Sequence, residues 1–227
     1  MSLTRFIRNI LWASPLYLLA IIPFIFIAHY VDIKIDYYQV LLGVLGWWIA
    51  LIVRIPVILL IKKKNINLKL SRKITIGLSG PSEEITRLLL LSIIGLNSPN
   101  AYSVGLGWAM IEIIYGLVQI IGLGLLDKKS DPKAEEAKTI MKQMGMDKTL
   151  EPSTPFWGAL ERVSASALHI GFGLLLIISP YLIIATIPLH SFINFFVVKM
   201  NEKSIRNSQL GLLLIGFVVL IIGLVLV

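Results

Sequence analysis

Cysteine is absent from the 227 residues, which excludes disulfides, thiol nucleophiles and Cys-ligated metal centres. Charge is scarce too. Asp, Glu, Lys and Arg make up 15% of the chain, against about 25% in a soluble domain. Histidine occurs only as His29, His169 and His190. No H-E-x-x-H pattern is present, which disfavours a zinc hydrolase of that type. A zinc site from His169, His190 and a Glu has no supporting local spacing, and no metal or other cofactor is expected.

What fills the chain is apolar sequence: 56% hydrophobic residues and a mean hydropathy of +0.84. Runs of about 20 apolar residues are long enough to cross a bilayer as helices. Seven such runs are predicted, at about 9–29, 38–61, 74–96, 102–126, 156–178, 181–200 and 209–227. The fold class is therefore all-α: a polytopic transmembrane helix bundle forming one integral membrane domain over 1–227. The first run lacks a small-residue cleavage signature and reads as a retained helix.

The net charge of +8 could suggest nucleic acid, but the basic residues lie in the short segments between apolar runs, where they orient helices. With the N-terminus inside, 17 of the 21 Lys and Arg residues fall on the inner side and only Lys34 on the outer. Arg54, Arg87 and Arg162 lie within spans. The expected topology is N-in, C-out, with membrane lipid rather than nucleic acid as the surrounding partner. The long loop 127–154 is inner, carries six acids and six lysines, and holds an amphipathic helix over Pro132 to Met146 with Ala137, Ile140, Met141 and Met144 on one side.

The polar core falls in 74–200. Glu83 and Glu84 sit about ten residues into the third span, with Arg87 a turn later. An ionised carboxylate at mid-bilayer costs at least ~2.5–3.5 kcal/mol, and such residues mark functional sites by default. Glu112, His169 and His190 reach similar depth on three other spans, by the ~1.5 Å rise per residue. Each would cost several kcal/mol if left unpaired, so one internal cluster is expected. His190 and Asn194 share a helix face, as do Trp108 and Glu112, and Arg162, Ser166 and His169. Arg54 either snorkels or pairs with an acid of the cluster. Glu161 and Arg162 can pair with each other. Trp108 can also be read as an interfacial anchor. The Gly77-Leu78-Ser79-Gly80 segment matches a short serine-protease pattern, with a histidine on another span as its base.

Four motifs occur in order on successive spans: Glu83-Glu84-Ile85-Thr86-Arg87, then Gly105 to Glu112, then Glu161-Arg162 with His169, then His190-Ser-Phe-Ile-Asn194. This order resembles the CAAX-prenyl-protease and bacteriocin-processing (CPBP) superfamily of glutamic intramembrane proteases, and looks most like its YhfC-like branch. The resemblance covers about 74–200. It implies a metal-independent membrane peptidase of a prokaryotic cell membrane, acting on a membrane-anchored protein or peptide. By the same resemblance, Glu83 or Glu84 activates water, Arg87 is its electrostatic partner, and His190 with Asn194 form the oxyanion hole.

Two departures stand out. The prenyl-protease spacing is Glu-Glu-x-x-x-Arg, one residue longer than here. The YhfC-like second motif has a His four residues before its Glu, whereas this chain has Trp108 before Glu112. An indole N–H only donates. The sequence offers His169 as a stand-in for the missing base. The alternatives are a non-catalytic binding subunit and a proton-coupled carrier, the latter without an internal repeat to support it.

Overall fold

A computed structural model describes residues 14–127, 129–143 and 154–227. Every regular element among them is helical. Helix α1 spans Ser14–Tyr30. It is interrupted at Ala20 and Ile21, and its regular second part, Ile22–Tyr30, carries Pro23 in the first turn, where a missing N–H costs nothing. Then come α2 (Tyr37–Lys63), α3 (Leu68–Gly77), α4 (Ser79–Ile94), α5 (Ser98–Asp127) and α6 (Pro132–Gln143). Helix α7 (Thr154–Ile178), a 3-10 turn at Pro180–Leu182, α8 (Ile183–Asn201) and α9 (Ile205–Leu226) complete the chain.

The ends are set by local chemistry. Asp36 caps α2, its Oδ1 accepting from the Tyr38 N–H at 2.8 Å and the Gln39 N–H at 3.3 Å. Asn67 caps α3 by accepting from the Leu70 N–H at 2.8 Å. Helix α4 stops at Gly95, whose φ of +110° lies outside the range L side chains tolerate. The Asn100 side chain then donates to the freed carbonyls of Ile94 (2.8 Å) and Gly95 (3.0 Å), closing the α4–α5 hairpin.

Among the described residues, five helices are long and apolar enough to cross a membrane: Tyr37–Lys63, Ser98–Gln119, Phe156–Ile178, Pro180–Asn201 and Ile205–Leu226. The fold is thus a helical membrane bundle. Two expected spans take a different form. The segment at 74–96 is divided, with 74–77 closing α3 and α4 beginning at Ser79 after the single residue Leu78. Helix α4 has 16 residues, about 24 Å at 1.5 Å per residue, shorter than a ~30 Å hydrocarbon core. The first apolar helix is short as well, and the part of 9–29 before Ser14 lies outside the described residues. The loop helix forms as α6, with Ala134 buried; Met144 and Met146 lie outside the described residues.

Helices α5 and α7 form the centre, with more than half of each apolar window buried, whereas α2 and α8 bury less than a quarter of theirs. Helix α7 packs between α5 and α9, α5 against α2, and α4 against α8 and α2. The main core joins Phe24, Trp47, Leu91, Tyr102, Trp108 and Ile170 across five helices. Two close crossings bring the polar helices together. A Cβ on Gly80 would lie 2.2 Å from the Ile187 carbonyl oxygen, and one on Gly105 would lie 2.6 Å from the Ile170 Cα. Side chains at these positions would separate α4 from α8 and α5 from α7.

Candidate functional site

Helix α4 is the origin of the site. Its first nine residues bury Ser79, Ser82, Glu83, Glu84 and Arg87, and consecutive Glu83 and Glu84 point about 100° apart on a helix, so they meet different neighbours.

Glu83 faces α2 and α5. Its Oε1 is ion-paired with Arg54, and its Oε2 accepts the Trp108 indole N–H at 3.1 Å. Arg54 also donates through Nε to Ser82 Oγ at 2.6 Å. Of the two readings open for Arg54, pairing is the one observed. Trp108 is fully buried rather than interfacial, and its ring lies beneath the Arg87 guanidinium, 4.5 Å from the ring centroid.

Glu84 faces α8 and is completely buried. Its Oε1 is paired with Arg87 and accepts from His190 Nδ1 at 2.7 Å. Its Oε2 is buried with no hydrogen-bond partner among the described residues. His190 Nε2 stands 3.7 Å from Glu83 Oε2, so this imidazole lies between both acids. Phe172 stacks on its ring at 5.4 Å.

Arg87 carries the network to α7. Its Nη2 donates to His169 Nδ1 at 3.0 Å. A guanidinium has only donors, so Nδ1 must accept and the imidazole proton resides on Nε2. That N–H points to Glu112 Oε2 at 3.1 Å. Glu112 also accepts from the Trp47 indole at 3.1 Å and from Arg162 Nη1 at 3.4 Å. Arg162 pairs in turn with Glu161, and Glu161 accepts from Gln209 at 3.0 Å.

The expected residues therefore fall into three groups. Glu83, Glu84, Arg87, Trp108 and His190 are joined by direct contacts. His169, Glu112 and Arg162 extend the same network through Arg87. Asn194 stands apart, donating to Ser79 Oγ at 2.8 Å, although it shares the α8 face with His190. The serine reading finds no base: Ser79 donates to the Ile76 carbonyl at 2.7 Å, and among the described residues no histidine hydrogen-bonds to it. His169 has both ring nitrogens engaged, which leaves it no lone pair with which to take a proton from water.

The same point decides the metal question. Glu83, Glu112 and His169 offer ligand atoms within 4.8 Å of one another. A metal needs a lone pair on His169 Nε2, and that atom carries the proton donated to Glu112. Both carboxylates also accept from arginine and indole donors. The donor set does not fit a metal as arranged.

Trp47 and Gln209 are members of the network that the sequence does not announce. A Trp in an apolar run reads as core, and Gln209 marks only the start of the last span. Comparison of the chain with protein-family models, curated proteins and solved structures finds no match.

Proposed function

We propose that the chain is a metal-independent intramembrane peptidase of the glutamic type, with Glu84 as the base that activates water. The observation that carries this reading is the division of labour on Glu84: Oε1 is held by Arg87 and His190, while the buried Oε2 has no partner. Glu83 is a poorer base because both of its oxygens take donors. In the reaction, Glu84 Oε2 takes a proton from water and the hydroxide oxygen bonds to the peptide carbonyl carbon. His190 stabilises the oxyanion, while Asn194, one turn further on the same face, donates to Ser79. The C–N bond then breaks as the proton on Glu84 moves to the leaving nitrogen, giving a carboxylic acid and an amine. The network brings four carboxylates and three guanidinium groups together, and a doubly protonated His190 would balance that count while presenting an N–H to the oxyanion.

In this reading the chain crosses a prokaryotic cell membrane seven times, N-in and C-out, with residues 74–77 at the end of α3 and α4 together making the third crossing. The substrate is a membrane-anchored protein or peptide. The test is incubation of purified protein in liposomes with membrane-anchored peptide reporters and a chelator, with products read by mass spectrometry. Cleavage should resist the chelator and disappear in Glu84→Gln. Equal cleavage by a folded Glu84→Gln protein would overturn the assignment.

Trp108 favours a second reading, a non-catalytic binding subunit, because its indole occupies Glu83 with a donor that shares no proton. A proton carrier gains little support. The path from Glu84 to His169 runs through Arg87, and a guanidinium does not release its proton.

A further inference from the structure

Two basic segments far apart in sequence meet at one end of the bundle. Helix α3 packs against α8, and Arg72 Nη1 donates to Glu202 Oε1 at 3.1 Å, pinning α3 to the α8–α9 turn. Beside one half of this pair lie Lys69 and Lys73; beside the other lie Lys199, Lys203 and Arg206, and all five are exposed. Glu202 is the single acid in the stretches 62–80 and 183–227, and Arg72 pairs with it. These six basic residues therefore share this one acid within the two segments, and the surface keeps a net positive charge.

The form of α3 points to a bilayer partner. None of its ten residues is buried by the protein. Lys69 and Lys73 lie one turn apart on the face that also exposes Leu70. An apolar side chain set between lysines suits a helix at the lipid boundary, with stems in the acyl region and ammonium groups at the phosphates.

We propose that this surface, formed by α3 and the α8–α9 turn, binds phosphate-bearing anionic lipid headgroups. It rests on the membrane character of the bundle and not on the catalytic reading. Anionic lipid attraction amounts to roughly a fivefold gain per nearby Lys or Arg, so several lysines acting together should give a marked preference over zwitterionic lipid.

The test uses the full chain in mixed phosphatidylglycerol and phosphatidylcholine, with retained lipids counted by native mass spectrometry. The wild type should retain phosphatidylglycerol in preference to phosphatidylcholine. The triple variant Lys69→Gln/Lys73→Gln/Lys203→Gln should lose at least about fivefold of that preference. A second triple variant, Lys129→Gln/Lys133→Gln/Lys138→Gln, removes the same charge from the α6 region and should keep it. Millimolar inorganic phosphate should not displace the lipid. Equal retention of both lipids by the wild type, equal loss in both triple variants, no loss in either, or displacement by free phosphate would each overturn the proposal.

Discussion

Arg87→Met removes the residue on which the buried network turns. Arg87 is fully buried, its fork is divided between Glu84 and His169, and its guanidinium covers Trp108. Methionine fills much of the stem volume but leaves Glu84 with His190 alone and His169 Nδ1 without a donor. Breaking a buried ion pair from one side costs about 3–5 kcal/mol; the cation–π contact contributes ~0.5–2 kcal/mol, partly recovered by sulfur–ring contact. The expected loss is therefore about 3–5 kcal/mol. Much of it is the penalty of a stranded carboxylate, so Glu84→Gln should relieve it, and a double-mutant cycle should give a coupling of at least about 2 kcal/mol. Arg87→Lys keeps the charge but cannot reach both partners, and should cost an intermediate ~1–2 kcal/mol. Unfolding in mixed micelles, followed by tryptophan fluorescence, measures the wild type and the four variants. A loss below about 1 kcal/mol in Arg87→Met, or a coupling near zero, would refute the idea that Glu84 depends on Arg87.

Three further outcomes follow from the same contacts. Trp108→Phe keeps an aromatic face beneath Arg87 but strands Glu83 Oε2, and should cost about 1–3 kcal/mol in the same unfolding experiment. Gly80→Ala sets a methyl against the Ile187 carbonyl and should sharply lower the melting temperature, whereas Gly77→Ala meets nothing within 4 Å and should be neutral or stabilising by up to ~1 kcal/mol. Asp36→Ala removes the α2 cap and should cost about 1 kcal/mol without changing any activity, since the cap is outside the network.

Much of the architecture is legible in the sequence because a membrane makes apolar length diagnostic. The five long apolar helices and the turn at Pro180 follow from it, and the loop helix follows from its amphipathic spacing. The division at Leu78 does not, because Ile74 to Gly77 are apolar whichever helix they belong to. Glu83, Glu84, Glu112, His169 and His190 could be placed at one depth from helical rise alone, and the structure brings them into one network. Which acid meets which partner depends on helix rotation, and one residue of rotation exchanges the environments of Glu83 and Glu84. The engagement of His169 by Arg87 is equally hidden, because it needs the distance between α4 and α7. Asn194 shares a face with His190, yet one turn along α8 is enough to move it from Glu84 to Ser79.

The most direct measurement compares cleavage rates of Glu84→Gln and Glu83→Gln in liposomes, each checked for wild-type unfolding behaviour. Removing the base should lower the rate by about 10²–10⁴-fold in Glu84→Gln, whereas Glu83→Gln should retain cleavage within about tenfold of wild type, because Glu83 supports the site without taking the proton. The reverse order, or equal activity in both variants, would contradict the account.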